Sequence, residues 1–493
     1  IRITNNAKLL NLPDFNLIKT IVGSILINNN SLLKNIPSLE NLISTGSYQI
    51  YNNKSIEVIH GCPNLETVAS LFWIITTNNL TEISGFNKLR KTGAFAINEN
   101  KILNKIPSFN SLQDIPNEYF SIADNPVLDS IIGFNQLNGG ISTLKIDQNG
   151  IKIVSGFNNL TNCISIQFEN NPNLTKIEGF NKLEKGNIYI KSNNLLKSIP
   201  SFNNLHYPAF IDNSTFQFEV SKNYNLKQIN GFNRLQNAGT ILIYENDLLE
   251  EIIGFEELVK SKDITIKGSS IHSIPSFNKL KIIGIETEDY GFTNYSGLYL
   301  EEMPKLEEIS GFNNIDTLKG WLHIISNTSL RNISAFKNVK RVYRNLVIYQ
   351  NDSLKSFVGL EKLNLIGGHY IIKKNNLMRE LPNTKELHTI RCQYLSNYGI
   401  GLDISGDSIS SLKGLQNLTQ VYRYISIIKT NLTSLQGLEN VDPKGLASSY
   451  IQDNPKLSSC SIYFLCEKIK EKPFSCDVVK NNATGCNNCT EVK

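Results

Sequence analysis

The sequence predicts a mainly β fold: a right-handed parallel β-solenoid of about eighteen turns of 22–25 residues, followed by a small disulfide-bonded C-terminal cap. Three observations support this prediction. One phrase recurs at that spacing along most of the chain. Within each phrase, an apolar pair and an asparagine hold fixed positions. Cysteines crowd the last thirty-four residues, 460–493. A sequence period of 20–50 residues is typical of solenoids.

The recurring phrase is clearest at residues 79–89, Asn-Leu-Thr-Glu-Ile-Ser-Gly-Phe-Asn-Lys-Leu. We take its phenylalanine as the anchor of each turn. The anchors are Phe15, Leu39, Cys62, Phe86, Phe109, Phe134, Phe157, Phe180, Phe202, Phe232, Phe255, Phe277, Phe312, Phe336, Leu360, Thr384, Leu415 and Leu438. A chain of 493 residues would usually form several globular domains. A solenoid instead grows by adding turns, so we predict one continuous repeat array over residues 1–459 and a cap over 460–493.

Each turn is predicted to begin with a β-strand. Apolar residues stand 14 and 12 positions before the anchor, as in Ile188/Ile190 and Leu346/Ile348. Side chains alternate along a strand, so these pairs point inward and their neighbours outward. Apolar residues then recur every third position up to the anchor. Glycine or proline beside the anchor argues against a helix there, so we predict bent, extended segments.

An asparagine stands nine positions before most anchors and predicts a structural ladder. Stacked at every turn, its amide can satisfy backbone N–H and C=O groups where the strand ends. The ladder residues are Asn6, Asn30, Asn53, Asn100, Asn125, Asn171, Asn193, Asn223, Asn246, Asn327, Asn351 and Asn375. In four turns, which end at Phe157, Phe277, Leu415 and Leu438, the apolar pair shifts by one residue. We expect those turns to lack the ladder asparagine and to bend more tightly.

The full pattern, apolar-x-apolar-x-x-Asn-x-x-Leu-x-x-Ile-x-Gly-Phe-x-x-Leu, resembles the receptor L-domains, which are relatives of leucine-rich repeat proteins. The resemblance covers residues 1 to about 459. It implies a ligand-binding role, because L-domains form the binding lobes of insulin- and growth-factor-type receptors and occur in fungal and bacterial surface proteins. Here the turns run without a Cys-rich module between lobes, so the resemblance does not imply growth-factor binding.

The two ends of the sequence differ from the repeat and lead to separate predictions. Ile1 and Ile3 already occupy strand positions, so we expect that an N-terminal capping segment is missing. Five cysteines near the C-terminus are disulfide candidates: Cys460, Cys466, Cys476, Cys486 and Cys489. Such density indicates an oxidising compartment, hence an extracellular or cell-surface protein. Zinc is the alternative for Cys486-x-x-Cys489, but no second such pair faces it, and no metal is predicted. A short amphipathic helix is predicted within residues 457–470.

Two sets of residues are candidates for ligand binding. Three turns are longer than the rest, and their extra residues (205–216, 281–298 and 388–401) fall at the same phase, so they should project from one edge. These segments carry Tyr207, Tyr290, Tyr295 and Tyr394. The outward strand positions carry Tyr51, Trp73, Tyr189, Tyr244, Tyr299, His323 and Tyr349. Exposed aromatic rings suit sugars or protein partners. Alternatively, the loop residues only pack against the array, and the strand residues only reflect β propensity.

Composition argues against several function classes. The net charge of +5 is not gathered in one run, which argues against nucleic acid as a partner. No apolar stretch approaches the ~18 residues of a transmembrane segment. The sequence has no nucleophile elbow, phosphate loop or metal motif, so neither catalysis nor a cofactor is predicted.

We therefore expect an extracellular adhesion or ligand-binding scaffold that recognises a surface glycan or protein through its sheet face and three loops. One alternative is a structural surface-layer protein without a specific ligand. A second is a polysaccharide-cleaving β-solenoid that uses Glu286, Asp289 or Glu301. The chain also has fourteen Asn-x-Ser/Thr sequons. Three of them, Asn53, Asn327 and Asn351, coincide with ladder positions, which favours chance in an asparagine-rich chain.

Overall fold

The computed structural model describes residues 1–116, 118–200, 202–206, 217–284, 296–391, 401–406, 408–471 and 479–486. The chain divides into two compact units. Unit 1 comprises residues 1–237, 245–249 and 253–255, and unit 2 comprises residues 238–244, 250–252 and 256–493. Both units are built from the same coil, as the sequence predicts.

The described residues of unit 1 form eighteen strands before residue 237. They are β1 (Arg2–Thr4), β2 (Thr20–Asn28), β3 (Asn35–Ile36), β4 (Ser44–Tyr51), β5 (Val58–His60), β6 (Thr67–Ile75), β7 (Glu82–Ser84), β8 (Lys91–Asn98), β9 (Tyr119–Ala123), β10 (Ser130–Gly133), β11 (Ile141–Asp147), β12 (Ile153–Gly156), β13 (Asn162–Glu169), β14 (Lys176–Gly179), β15 (Lys185–Lys191), β16 (Ser198–Ile199), β17 (Gln217–Ser221) and β18 (Gln228–Ile229). Two further strands, β19 (Asn237–Asn246) and β20 (Glu251–Ile252), fall where the residues of the two units alternate along the chain.

The remaining elements belong to unit 2. They are β21 (Lys260–Ser269), β22 (Ser273–Ile274), β23 (Ile282–Ile283), β24 (Gly297–Glu301), β25 (Glu308–Ile309), β26 (Thr317–Leu318), β27 (Trp321–Ile325), β28 (Asn332–Ile333), β29 (Arg341–Val342), β30 (Leu346–Tyr349), β31 (Ser356–Phe357), β32 (Leu365–Ile366), β33 (Tyr370–Lys373), β34 (Thr389–Ile390), β35 (Leu402–Gly406), β36 (Gln420–Val421), β37 (Arg423–Thr430), a 3-10 turn (Pro443–Gly445), β38 (Leu446–Gln452), α1 (Tyr463–Glu471) and β39 (Val479–Lys480).

In each unit, the long strands form a parallel sheet in which equivalent residues of successive turns pair. In unit 1, Phe95 pairs with Phe120 and Ile188 with Phe218. In unit 2, Leu322 pairs with Leu346. This register confirms the predicted parallel β-solenoid of about 18 turns with a spacing of about 24 residues. Short strands on the opposite side of the coil pair in the same way, as in β3–β5–β7 of unit 1 and β22–β25–β28–β31 of unit 2. The apolar core lies between these two layers.

Each ladder asparagine forms hydrogen bonds with backbone groups of the preceding turn and of its own turn. The side-chain oxygen of Asn171 accepts a hydrogen bond from the backbone N–H of Asn149 at 3.0 Å. Its side-chain nitrogen donates to the carbonyls of Ile146 at 3.0 Å and Glu169 at 2.8 Å. In unit 2, Asn351 has the same arrangement, accepting from the N–H of Asn327 at 3.1 Å. One buried amide per turn thus satisfies groups that the bend removes from the sheet.

The ladder is more continuous than the sequence indicated. In the turn ending at Phe157, Asn149 takes the ladder position and is 1% exposed, so the expectation that this turn lacks its asparagine was wrong. The expected tighter turn is present: one residue, not two, separates Asn149 from the next core residue, Ile151. In the turn ending at Leu438, Thr430 substitutes, and its N–H and hydroxyl both donate to Asn454 Oδ1 at 2.9 and 2.7 Å. Asn454 in turn donates to Asn482 at 3.0 Å, inside the predicted cap.

The anchor residues form a second, apolar column. Every anchor from Phe86 to Leu360 has a positive φ, between +45° and +71°. This left-handed conformation costs a residue with a side chain about 1–2 kcal/mol. The anchor rings offset this cost by packing on one another: Phe157 stacks on Phe134 at 5.3 Å and on Phe180 at 5.2 Å between ring centroids. The predicted bent segment is therefore a sharp corner whose geometry is held by the core.

Where the anchor is small, a tyrosine on the strand fills the space. Cys62 stands at an anchor position, and Tyr48, on the strand of the same turn, is fully buried and packs edge-on against Phe86 at 5.3 Å. The anchor Thr384 has a similar partner in Tyr370, which is also fully buried. Burial raises the pKa of both phenols. Large and small residues therefore exchange places within a turn, and the core volume is conserved.

The C-terminal region is tied to the last turn by a disulfide between Cys460 and Cys486. The predicted short helix is present as α1, which buries Phe464 and Leu465. Strand β39 adds to the sheet by pairing Val479 with Ile451. Two of the other cysteine candidates, Cys476 and Cys489, lie outside the described residues; Cys466 is half-buried on α1. In the described part of the chain, no helix is long and apolar enough to span a membrane.

Candidate functional site

The predicted outward residues of the main strands do face away from the core. Ile188 and Ile190 are 0% exposed, whereas Tyr189 between them is partly accessible. The same holds for the other aromatic candidates. Partly accessible are Tyr51, Trp73, Tyr189, Tyr244, Tyr299 and Tyr349, and His323 is 9% exposed. The predicted loop residues Tyr207, Tyr290, Tyr295 and Tyr394 lie outside the described residues, as do Glu286 and Asp289.

In unit 1, the outward aromatic residues are spread along the sheet. Tyr51 and Trp73 lie on the neighbouring strands β4 and β6, where Tyr51 pairs with Ile75. Tyr189 lies on β15, and its hydroxyl donates a hydrogen bond to Gln217 at 3.1 Å. The ammonium group of Lys191 stands 5.1 Å from the Tyr189 ring centroid, a cation–π distance. Unit 1 thus does not gather its aromatic candidates into one cluster.

Charged side chains occupy the same face of unit 1 and largely neutralise one another. Lys145 pairs with Asp147 at 3.0 Å. Lys191 pairs with Glu219 at 2.9 Å and approaches Glu169 at 3.9 Å. Burial raises the pKa of the Glu169 carboxyl, and the Lys191 charge opposes that shift. Among the described residues, no group of three or more His, Cys, Asp or Glu side chains is arranged to hold a metal ion.

Unit 2 gathers three aromatic side chains on strands β24 and β27. The Tyr299 ring meets the His323 ring edge-on at 5.0 Å, and the Trp321 ring lies 4.8 Å from that of His323. Tyr299 and Trp321 are 6.3 Å apart. We call Tyr299, Trp321 and His323 the aromatic cluster. The sequence prediction included Tyr299 and His323 but missed Trp321. Trp321 lies two residues before His323, so strand alternation placed it on the same face.

Charged groups border the aromatic cluster. Glu301 Oε1 lies 3.5 Å from His323 Nδ1, and the ammonium group of Lys267 lies 3.7 Å from Glu301 and 3.1 Å from Glu302. The hydrogen bond with His323 lowers the pKa of Glu301, so this carboxyl is held ionised. The other imidazole nitrogen, His323 Nε2, is buried and has no hydrogen-bond partner in the structure. The cluster therefore combines ring surfaces with donor and acceptor groups.

A buried carboxyl near this cluster makes stability depend on pH. Asp263 pairs in register with Gly297, and burial raises the pKa of its carboxyl to about 7. In the unfolded chain, an aspartate titrates near pH 4. The folded state therefore holds a proton that the unfolded state releases, so the contribution of Asp263 to stability is greatest below about pH 4 and falls as pH rises to about 7.

We expect Asp263→Asn to remove this dependence. The variant should gain thermal stability over the parent above pH 7 and lose that advantage near pH 4. Melting curves from pH 4 to 8 measure this difference. Asp316→Asn, at an exposed position of unit 2, is the matched control and should not change the profile. A constant difference between Asp263→Asn and the parent across the range would contradict the expected linkage.

No protein-family model matches the sequence, and no curated protein matches it. Several solved structures are similar. A leucine-rich repeat protein from Bacteroides ovatus ATCC 8483 is 15% identical, with 84% of this chain and 89% of that chain covered and a TM-score of 0.34. The TLR13–ssRNA13 complex is 12% identical, covering 95% and 83%, with a TM-score of 0.18. The pneumococcal vaccine antigen PcpA is 13% identical, covering 97% and 91%, with a TM-score of 0.16. The parallel register and the asparagine ladder described above define the fold of this chain.

Proposed function

We propose that this chain is a ligand-binding scaffold outside the cell or on its surface, and that it recognises a glycan through the outward face of its parallel sheet. The aromatic cluster of unit 2 is the observation that supports the proposal. Its three rings lie within 6.3 Å of one another on two adjacent strands. Aromatic faces stack on the apolar faces of sugar rings, and they contribute large contact areas at little conformational cost.

The polar groups around the cluster favour a sugar over a purely apolar ligand. Glu301 accepts hydrogen bonds, Lys267 donates them, and His323 Nε2 is unsatisfied. Sugar hydroxyls both donate and accept, so they can satisfy all three groups. Rigid strands also hold these side chains more precisely than loops would. The location outside the cell is supported by the Cys460–Cys486 disulfide, because disulfides persist in oxidising compartments.

A glycan array probed with the full chain tests this proposal. We expect the parent chain to bind a defined set of oligosaccharides, and Tyr299→Ser to weaken that binding at least about tenfold, equivalent to about 1.4 kcal/mol. Tyr463→Ser is the matched control, because Tyr463 is 61% exposed on α1, away from the sheet. It should bind like the parent.

Two results would overturn the proposal. If the parent binds no glycan on the array, a protein ligand or a structural surface layer becomes the better explanation. If Tyr299→Ser and Tyr463→Ser bind equally well, the glycan site lies away from the aromatic cluster.

A further inference from the structure

Three strands follow the three long segments of the chain, and each carries an outward carboxylate paired with a lysine of the preceding turn. The pairs are Lys191–Glu219 at 2.9 Å, Lys267–Glu301 at 3.7 Å and Lys373–Asp403 at 2.5 Å. The carboxylate side chains are 7%, 18% and 2% exposed. Acidic side chains are almost never fully buried unless they are paired, as these three are. Asp403 differs from the other two carboxylates in having a buried oxygen without a hydrogen-bond partner.

Asp403 is only half satisfied. One carboxylate oxygen, Oδ2, pairs with Lys373. The other, Oδ1, is buried and has no hydrogen-bond partner in the structure. Leaving a buried acceptor unsatisfied costs about 1–3 kcal/mol, and more when it is charged. An acceptor held in this state indicates a place for a donor that is supplied from outside the chain.

Several neighbours of Asp403 on the sheet face are polar, although its register partner on β33, Ile371, is apolar. Ser426 pairs in register with Asp403 and is 5% exposed. His369, which directly precedes β33, is 8% exposed. On the other side of Lys373, Tyr349 pairs with it in register and presents a ring to the same face. Buried polar groups beside an aromatic ring on a rigid sheet form a built site rather than a solvated surface.

We propose that Asp403 and Lys373, with Ser426 beside them, form a second carbohydrate subsite on the sheet face of unit 2. This inference rests on the proposed glycan-binding function and assigns a new site to it. On binding, the partly exposed Lys373 side chain shifts so that a sugar hydroxyl reaches Asp403 Oδ1, which is buried in the free chain, and donates a hydrogen bond to it. A neighbouring hydroxyl accepts from the Lys373 ammonium, which has three N–H donors and uses one on Asp403. The Tyr349 ring, which has the ammonium group of Lys374 5.1 Å from its centroid, provides an adjacent aromatic surface on its other side.

The charge balance favours a neutral ligand over a cationic one. Lys373 already lies 2.5 Å from Asp403 Oδ2, so an incoming ammonium or guanidinium group would be placed close to a like charge. A peptide backbone is also a poor match. Asp403 lies on β35, which pairs with β33 on one side and β37 on the other, so no free strand edge is available there. A hydroxyl-rich ligand satisfies both the carboxylate and the ammonium without either difficulty.

Isothermal titration of the full chain with an oligosaccharide selected from the array tests the subsite. The variants are Asp403→Ala, Lys373→Met and the double variant, each checked by thermal melting. Glu257→Gln is the matched control, because Glu257 forms an exposed pair with Lys279 in the same unit. We expect each single variant, and also the double variant, to bind at least tenfold more weakly, while the control is unchanged.

The double variant separates binding from folding. If the pair only supports the fold, removing both charges restores stability and binding together, and this result overturns the subsite. Unchanged affinity in Asp403→Ala, with affinity lost in Tyr299→Ser, also overturns the subsite and leaves the proposed function intact. If the parent binds no glycan, the proposed function fails, and the subsite fails with it.

Discussion

Replacing Asn171 by alanine is expected to destabilise unit 1 by about 3–5 kcal/mol. The substitution removes the acceptor of the Asn149 N–H and one donor each to the carbonyls of Ile146 and Glu169. All of this occurs at a site that is 0% exposed, so water cannot replace the lost bonds. Each buried polar group left unsatisfied costs about 1–3 kcal/mol.

The measurement is urea unfolding combined with hydrogen exchange, because linear arrays unfold by regions and a single midpoint does not localise the damage. Asn181→Ala is the matched control. Asn181 belongs to the same turn but is exposed, and its side chain bonds only Asn158 at 2.8 Å, so a change within about 0.5 kcal/mol is expected. Asn171→Thr should be milder than alanine, since Thr77 and Thr430 already occupy ladder positions. Equal losses in Asn171→Ala and Asn181→Ala would show that the ladder contributes little.

Truncating an anchor phenylalanine is expected to lower the free energy of unfolding by a similar amount. Unusually, the glycine variant should be at least as stable as the alanine variant. Phe157 packs on Phe134, Phe180 and Phe120, and it is 0% exposed. Phe157→Ala should cost about 3–5 kcal/mol through the cavity it leaves. Glycine usually costs a further 0.5–1 kcal/mol relative to alanine. At φ +56°, however, glycine is unstrained and alanine is not. Phe157→Gly should therefore be no less stable than Phe157→Ala.

Phe168 provides the matched comparison. It is equally buried on β13 but has ordinary strand geometry, so Phe168→Gly should be less stable than Phe168→Ala. Thermal melting of the four variants shows whether alanine or glycine is more stable at each position. If the glycine variant is less stable than the alanine variant at both positions, the left-handed backbone at the anchor does not strain alanine.

The repeated features of the fold were predictable because each recurs in most turns of the sequence. The strand pairs, the ladder and the inward or outward direction of side chains all follow from spacing alone. Asn149 was missed because positions were counted from the anchor, and its turn is one residue shorter on that side. The left-handed anchors were also not predictable, since phenylalanine does not favour that conformation locally. Packing of the anchor side chains against those of neighbouring turns stabilises it.

The candidate site was predictable only in part. Alternation places Tyr299, His323 and Trp321 on the outward face, but Trp321 was missed because it precedes Leu322, the residue with which this strand was predicted to begin. The pair of Lys373 and Asp403 spans 30 residues because one of the three long segments separates them, whereas most turns repeat every 22–25 residues. A pattern search at the regular spacing does not align them. Ion pairs of this kind form only when the chain is folded. They give individual turns polar groups that the repeat itself does not provide.

The ladder also bears on when sugar could be attached to this chain itself. Four sequon asparagines, Asn53, Asn327, Asn351 and Asn482, have their side-chain nitrogens committed to backbone carbonyls inside the coil. An oligosaccharide transferred to one of these nitrogens during synthesis would prevent that asparagine from forming its hydrogen bonds inside the coil. In a glycosylating compartment, ladder closure and sugar transfer therefore compete for the same atom. A folded molecule would retain only the sugars added at other sequons, and peptide mass spectrometry would record which process came first at each asparagine.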